Sequence, residues 1–252
     1  MIGVVILPQE RWATAREQWV EAERLGFDHA WTYDHLAWRS LTDEPWFATV
    51  PLLAAAAVVT SRIRLGTWVA SPNYRHPVPF AKDVMGLDDV SGGRFVLGVG
   101  AGGEGFDARV LGPAPTRGER TARFAEFLAL LDELLTHPVT ESDGEWYQAH
   151  GARMVPGTLA RPRPPFVVAA NGPKAMALAA RYGDCWTTTG PAVASCGEGD
   201  AAEEERWWAG VAGLAERFDE VVVHRPRSSG IYAGSLDAYL ALAERLPELR
   251  SL

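Results

Sequence analysis

Short apolar runs that alternate with amphipathic segments constrain the fold of this chain more than any other feature. After the first run, apolar residues recur at spacings of three and four from Trp12 to Ala22, and Gly26 is placed to end that helix. The predicted strands are Ile2–Leu7, Phe27–Tyr33, Ile63–Ala70, Arg94–Val99, Phe166–Ala170, Asp184–Thr189 and Val221–His224. Near-continuous apolar strands separated by helices are typical of a parallel sheet covered by helices, so the pattern predicts an α/β fold.

The segments between the strands predict the helices. Thr116 and Glu119 have the spacing of a capping box that opens one of them. The other predicted helices are Pro45–Thr60, Val78–Val90, Pro173 to a stop at Gly183, Glu203–Phe218, and Leu236–Leu246 with Ser235 as its cap. Pro45–Thr60 is apolar nearly all round, so we expect it to be covered on a second side by a homodimer interface. Residues 138–165 are rich in turn formers and are interpreted as an insertion in one domain spanning 1–252.

The composition limits the classes of partner. The 252 residues carry a formal net charge of −8, which argues against nucleic acid, because phosphate backbones need a basic surface. The longest apolar stretch is too short to span a membrane, and the N-terminal run Ile2–Leu7 is interpreted as a first strand rather than a signal peptide. The two cysteines, Cys185 and Cys196, cannot form a disulfide framework. We therefore expect a cytoplasmic protein that acts on a small molecule.

Polar residues and glycines follow nearly every predicted strand. The positions are Asp34 and His35, Ser71 to Asn73, Ala101 to Gly103, Asn171 to Pro173, Thr188 to Gly190, and His224. A (β/α) barrel builds its site from all the loops at the carboxyl ends of its strands, whereas a doubly wound sheet uses one switch point. The distribution therefore favours a barrel.

The glycine-rich segment 98–103 matches G-x-G-x-x-G, the dinucleotide fingerprint. That fingerprint should open a helix at once, but the next predicted helix begins only near Thr116. Two readings remain open: a glycine-rich turn without a ligand, and a turn whose missing side chains let a flat cofactor ring approach the backbone.

Several blocks resemble the luciferase-like monooxygenase superfamily, particularly the branch that uses the deazaflavin coenzyme F420. The blocks run from Trp31 to Leu36, from Ile63 to Pro77, from Leu87 to Gly102, and from Val168 to Trp186. They cover roughly residues 1 to 190. The resemblance implies a TIM-like barrel of the bacterial-luciferase type.

The resemblance also implies a set of site residues. His35 would move a proton and Asp34 would orient it, with Trp38 and His224 in the substrate pocket. In the family, strand three ends in a bulge, often with a non-proline cis peptide, and the matching bond is Trp68–Val69. The implied cofactor-binding residues are Trp68, Val69, Ser71, Ala101, Gly102, Gly103, Ala170, Asn171, Gly172, Pro173, Lys174, Thr188, Thr189 and Gly190.

Two departures from the family stand out. The sugar-phosphate dehydrogenase branch has a glutamate where this chain has Gly103, although Glu104 is adjacent. In addition, the helix ending near Asp219 runs almost directly into Val221–His224, where the family has another strand and helix. We therefore expect the barrel to lack one βα unit near the C-terminus.

The expected function is F420-dependent hydride transfer to or from a small organic substrate. An FMN-dependent monooxygenase and a non-catalytic flavin-binding protein are the alternatives. A metal centre is not expected, because the six histidines include no H-x-H or H-E-x-x-H pattern.

Overall fold

The fold is a curved parallel sheet with helices on its outer face. The computed structural model describes residues 1–188, 201–216 and 218–250. The strands are β1 (Ile2–Val5), β2 (His29–Thr32), β3 (Arg64–Thr67), β4 (Phe95–Gly100), β5 (Val139–Asp143), β6 (Gln148–Arg153), β7 (Phe166–Ala169), β8 (Cys185–Thr187) and β9 (Val221–His224). The helices are α1 (Trp12–Arg24), α2 (Thr49–Val59), α3 (Pro77–Val90), α4 (Arg117–Thr136), α5 (Pro173–Tyr182), α6 (Ala201–Ala215), α7 (Leu236–Glu244) and α8 (Leu246–Leu249).

Seven strands form one sheet in the order β8-β7-β4-β3-β2-β1-β9, and all of its pairs are parallel. A closed barrel requires its two end strands to pair, but within the described residues no ladder joins β8 to β9. The α/β prediction is confirmed, with the sheet curled as part of a barrel. The missing βα unit stays a prediction.

Three neighbouring strands bring their carboxyl ends to the same edge of the sheet. Thr32 of β2 is in register with Thr67 of β3, whose hydroxyl donates to the Gly98 carbonyl oxygen of β4 at 2.6 Å. The approach between β3 and β4 is close, since a Cβ on Gly98 would lie 1.9 Å from the Thr67 carbonyl oxygen. The loops after β2, β3 and β4 are therefore held side by side.

Helix ends follow the predicted caps. Thr116 and Glu119 form the capping box of α4, and the Ser235 side chain accepts from the Ala238 backbone N–H of α7. Helix α5 has Pro173 in its first turn and ends at Gly183, as predicted.

The predicted start of α2 at Pro45 is wrong by four residues, because the loop before Thr49 is anchored elsewhere: the Trp46 indole N–H donates to the His35 carbonyl oxygen at 2.8 Å.

Two apolar clusters lie on the two faces of the sheet. The larger one packs the helices on the outer face and includes the fully buried Trp19, Phe80 and Phe124. The smaller one lies inside the curve and includes Trp31 and Tyr33. Because both faces are covered, the strands are apolar on both sides, which is why they are near-continuous apolar runs in the sequence.

Residues 138–165 contain the antiparallel hairpin β5–β6, which is separate from the main sheet. The Glu126 carboxylate of α4 accepts hydrogen bonds from the backbone N–H groups of Trp146 and Tyr147, the latter at 2.6 Å. This contact fixes the hairpin turn against α4.

Of the helices that the structure describes, none has the length and apolarity required to span a bilayer.

Candidate active site

Asp34, the first polar residue after β2, forms an ion pair with the loop after β3. Its two carboxylate oxygens accept from Nε and Nη2 of Arg75 at 2.7 and 2.5 Å. The Asp34 side chain is 1% exposed, and the Arg75 guanidinium also lies 4.3 Å above the Phe80 ring. The predicted role of Asp34 in orienting His35 is therefore wrong. The pair instead holds two loops of the site together.

His35 has a different carboxylate partner. Its Nδ1 lies 2.5 Å from Oδ2 of Asp107, whose other oxygen accepts from the backbone N–H of Leu36 at 2.8 Å. Both side chains are largely buried, at 14% and 5% exposure. Since the carboxylate accepts, the neutral imidazole carries its proton on Nδ1 and presents a lone pair at Nε2. Within the described residues, no hydrogen bond to this Nε2 is found.

An aromatic cluster packs beside His35. The rings of His35 and Trp38 are stacked with centroids 4.4 Å apart, and the Trp38 indole N–H donates to the Tyr232 hydroxyl at 3.3 Å. The Tyr33 hydroxyl lies 2.9 Å from the Tyr232 hydroxyl and 3.1 Å from Nε2 of His224. The structure thus brings Trp38 and His224, the two predicted pocket residues, to one cluster.

Burial controls the protonation of this cluster. It lowers the pKa of His224 to about 4 and raises the pKa of Tyr33 well above its ordinary value. Both groups are therefore neutral near pH 7. The cluster therefore carries hydrogen-bonding groups and aromatic surface rather than charge.

The loop after β3 has the bulge that the resemblance implied. The Trp68–Val69 peptide bond is cis, so this expectation is confirmed. Ser71 is buried, and its hydroxyl accepts a hydrogen bond from the Asn73 backbone N–H at 3.4 Å, so it also shapes its own loop. Its contact with a cofactor stays a prediction.

Asn73 connects this bulge to the glycine-rich loop after β4. Its amide Nδ2 donates to the Gly103 carbonyl oxygen at 3.3 Å, and its Oδ1 accepts from Arg123 of α4 at 3.0 Å. Gly102 has φ +76, and a Cβ there would lie 2.6 Å from the Asn73 amide nitrogen. Gly103 is open, with no atom nearer than 4.0 Å to such a Cβ. Ala101 to Gly103 therefore form a side-chain-poor surface next to the bulge.

Glu104, which follows Gly103, is paired with Arg120 of α4. Its carboxylate accepts from Nη2 of Arg120 at 2.8 Å, and that hydrogen bond lowers the pKa of the exposed Glu104 side chain. A carboxyl group with a lowered pKa is a poor proton donor near neutral pH. Glu104 is therefore unsuited to replace the family glutamate that is absent at Gly103.

The N-terminus of α5 lies at the carboxyl end of β7. Its N-cap residue is Gly172, which has no side chain to make a capping hydrogen bond, and Pro173 occupies the first turn. Thr188 donates to the Asn171 side chain at 2.5 Å, and Trp186 donates to the Ala170 carbonyl oxygen at 2.8 Å. Such a helix start suits an anion. Lys174 is exposed beside it, and the predicted Thr189 and Gly190 lie outside the described residues.

The predicted site residues follow adjacent strands of one sheet. His35, Trp38, the cis bulge and Gly102 come from the loops after β2, β3 and β4, and residues 170–174 and Thr188 follow β7 and β8, of which β7 pairs directly with β4. Three further residues of this region, Asp107, Arg75 and Tyr232, were not predicted from the sequence. Asp107 lies in an irregular loop 72 positions from His35, and no periodic pattern marks such a partner. No group of histidine, cysteine or acidic residues within the described ranges is arranged to hold a metal ion.

A curled parallel α/β sheet with a cis bulge, a glycine-rich loop and a largely buried histidine at its carboxyl edge has the architecture of a (β/α)-barrel protein. The luciferase-like monooxygenase family matches residues 2–212, and the chain belongs to this family.

Two curated relatives illustrate the range of the family. The chain is 40% identical over 177 residues to an F420-dependent glucose-6-phosphate dehydrogenase of Beutenbergia cavernae, an alignment that covers 68% of this chain and 50% of the relative. It is 38% identical over 177 residues to a 4-hydroxyprotoasukamycin monooxygenase of Streptomyces nodosus subsp. asukaensis, covering 66% of this chain and 43% of that protein. The alignments thus span about half the length of these relatives.

Among solved structures, the monooxygenase RslO1 from Streptomyces bottropensis matches with a TM-score of 0.71 and 18% identity, covering 98% of this chain and 97% of that chain. At that identity, the likeness supports the fold alone.

Proposed function

We propose that the chain is an F420-dependent oxidoreductase that transfers a hydride between the coenzyme and the carbinol or carbonyl carbon of a small organic substrate. The observation that carries the proposal is the His35–Asp107 pair, which leaves Nε2 of a buried histidine available beside the bulge and the glycine surface. The 40% identity to an F420-dependent dehydrogenase supports the choice of coenzyme.

The residues present fit a ring of this kind. Gly103 leaves open space where a side chain would otherwise lie, and Ala101 and Gly102 continue the same surface. Trp68 and Val69 would lie behind the ring, and the first turn of α5 with Lys174 would hold the phosphate of the coenzyme tail. When bound, the deazaflavin supplies a carbon that accepts or returns a hydride.

The chain itself supplies the proton transfer. During oxidation of an alcohol, Nε2 of His35 accepts the hydroxyl proton, the carbon–hydrogen bond electrons leave as hydride, and a carbon–oxygen double bond forms. Asp107 stabilises the resulting imidazolium through Nδ1 and keeps the ring in the reactive tautomer. In the reverse direction the same imidazolium returns the proton to the carbonyl oxygen.

We infer that the substrate is not a sugar phosphate. Gly103 stands where that branch of the family has a glutamate, and Glu104 is paired with Arg120. The substrate named for the Beutenbergia relative therefore does not carry over to this chain.

The cofactor choice is tested by adding F420 and FMN separately to the protein and measuring the thermal shift and the dissociation constant of each. We expect F420 to bind and to be reduced by an alcohol, with His35→Ala binding F420 normally and losing turnover by about 10²-fold or more. Glu104→Gln is the matched control and should retain turnover.

Binding of FMN with no response to F420 would instead support the monooxygenase alternative, which the 38% identity to a monooxygenase favours. Binding of either coenzyme without turnover of any alcohol, ketone or oxygen would support a non-catalytic flavin-binding protein. Either result would refute the proposed dehydrogenase activity.

We further infer a cytoplasmic homodimer in which α2 forms part of the interface. Val58 of α2 is 70% exposed, and the neighbouring Ala54 and Ala55 are only half-buried. Val58→Arg should shift the species seen by sedimentation from dimer to monomer, and a wild-type monomer would refute this interface. Cell fractionation tests the location.

A further inference from the structure

Large apolar side chains are exposed in the loops after β2 and β4. Leu36 is 40% exposed, Phe106 39%, Val110 44% and Leu111 70%. We call these four residues the mouth patch. Scattered single apolar residues are ordinary on a protein surface, whereas a group next to reactive residues points to a ligand.

The mouth patch adjoins the His35–Asp107 pair directly. Leu36 follows His35 in the chain, and Phe106 precedes Asp107. The hydrogen bond from the Leu36 backbone N–H to Oδ1 of Asp107, at 2.8 Å, brings the two loops together at this point. Leu36 and Phe106 therefore lie one residue away from the two members of the catalytic pair.

The backbone of the mouth patch is ordered by its own hydrogen bonds. The 3₁₀ turn Phe106–Ala108 continues with the Arg109 and Val110 N–H groups donating to the Phe106 carbonyl oxygen at 3.0 and 3.1 Å. Gly112 then donates to the Arg109 carbonyl oxygen at 3.2 Å. An apolar surface held in this way is available without the entropy cost of ordering a loop on binding.

We propose that the mouth patch binds an apolar chain of the substrate, so that the substrate class is an alcohol or ketone carrying an alkyl tail of several carbons. The inference rests on the proposed function, because it places the reacting carbon at His35. Trp38 stacks on the His35 ring and is itself hydrogen-bonded to Tyr232, so aromatic surface also adjoins the reacting position. Removing apolar surface from water supplies the binding free energy, about 0.8 kcal/mol for each fully buried methylene.

The test uses the full chain with F420 and a series of 2-alkanols from 2-propanol to 2-octanol. We expect kcat/KM of the wild type to rise about twofold per methylene, half of the roughly fourfold that full burial would give. The double variant Leu36→Ser with Phe106→Ser should flatten this dependence. The control is the double variant Val155→Ser with Leu159→Ser. These two residues follow the hairpin and are 64% and 56% exposed, so the control should keep the wild-type dependence on chain length.

A second measurement does not depend on turnover: calorimetric binding of 2-octanone to each protein without coenzyme. We expect the Leu36/Phe106 variant to bind at least fivefold more weakly than the wild type and the control.

A wild type without chain-length dependence, or a variant that keeps it, would overturn the inference while leaving the dehydrogenase activity intact. Loss of dimerisation in the variant with an unchanged slope would likewise overturn it and assign the mouth patch to an interface. Binding of 2-octanone through the mouth patch without turnover of any alcohol would support the patch and refute the proposed activity.

Discussion

Nδ1 of His35 and Oδ2 of Asp107 are 2.5 Å apart, although 72 positions separate the two residues in the chain. The same carboxylate accepts from the backbone of Leu36 through its other oxygen. One acidic side chain thus fixes both the tautomer of the histidine and the shape of the loop that carries it.

Asp107→Asn should lower kcat/KM by about 10²- to 10³-fold, because an amide cannot stabilise the imidazolium and can favour the wrong tautomer. F420 binding should change far less, which a titration of coenzyme fluorescence would measure. Glu104→Gln removes an exposed carboxylate from the same loop and serves as the control. Equal activity of Asp107→Asn and the wild type would exclude His35 as the proton acceptor in this arrangement.

Asp34→Asn should destabilise the protein by about 3–5 kcal/mol, because it leaves the Arg75 guanidinium partly buried and without its carboxylate. Urea unfolding would measure the change. Asp83→Asn removes a more exposed carboxylate, 3.8 Å from the same guanidinium, so it serves as the control and should cost much less. An Asp34→Asn protein of wild-type stability would show that the ion pair does not hold the loops after β2 and β3 together.

The hydrogen bonds of Glu23 in α1 predict that the free energy of unfolding depends on pH. Burial alone would raise its pKa, but backbone hydrogen bonds from Ile63, Arg62 and Ser61 outweigh burial and lower the pKa to about 2. Because the folded pKa is lowered, this stabilisation is present above the ordinary carboxyl pKa and is lost as the pH falls from about 4.5 to about 2. The free energy of unfolding of Glu23→Gln should therefore be lower than that of the wild type by about 1–2 kcal/mol at pH 7, with the difference shrinking at pH 3. A difference that stays constant across this range would contradict the assignment.

Two glycine substitutions should have opposite effects. Gly98→Ala would place a Cβ 1.9 Å from a backbone oxygen of β3, which the strand cannot avoid without moving, so we expect a loss of roughly 3 kcal/mol or more. Gly86→Ala in α3 meets nothing within 4 Å and should stabilise the protein by about 0.5–1 kcal/mol. Thermal unfolding of both variants measures the two changes in stability. Similar melting temperatures for the two would refute the close approach of β3 and β4.

Much of the fold was predictable because its signals are local. The capping box at Thr116 and Glu119, the Ser235 cap and the Gly183 stop each depend on residues within a few positions, and each is confirmed. The start of α2 was not predictable in this way. The apolar pattern from Pro45 suits a helix, but a tertiary hydrogen bond from Trp46 to the His35 carbonyl oxygen anchors that segment outside the helix, which begins at Thr49.

The site was predictable only in part for the same reason. The positions of His35 and Trp38 follow from the end of a recognisable strand, and the cis bond at Trp68–Val69 follows from the family resemblance. Asp34 and His35 are adjacent in sequence, yet their side chains have different partners, because consecutive residues leaving a strand point to opposite sides. Their true partners, Arg75 and Asp107, come from irregular loops whose positions depend on the whole fold.

The cis bulge, the glycine surface and the His35–Asp107 pair all belong to the loops after β2, β3 and β4, which lie in the middle of the sheet, whereas β8 and β9 are its two ends. The ladders between β2 and β3 and between β3 and β4, which hold these loops, do not include either end strand. A change in chain length at the sheet ends should therefore preserve the spacing of these three loops, while it alters the neighbouring surface formed by His224 and Tyr232.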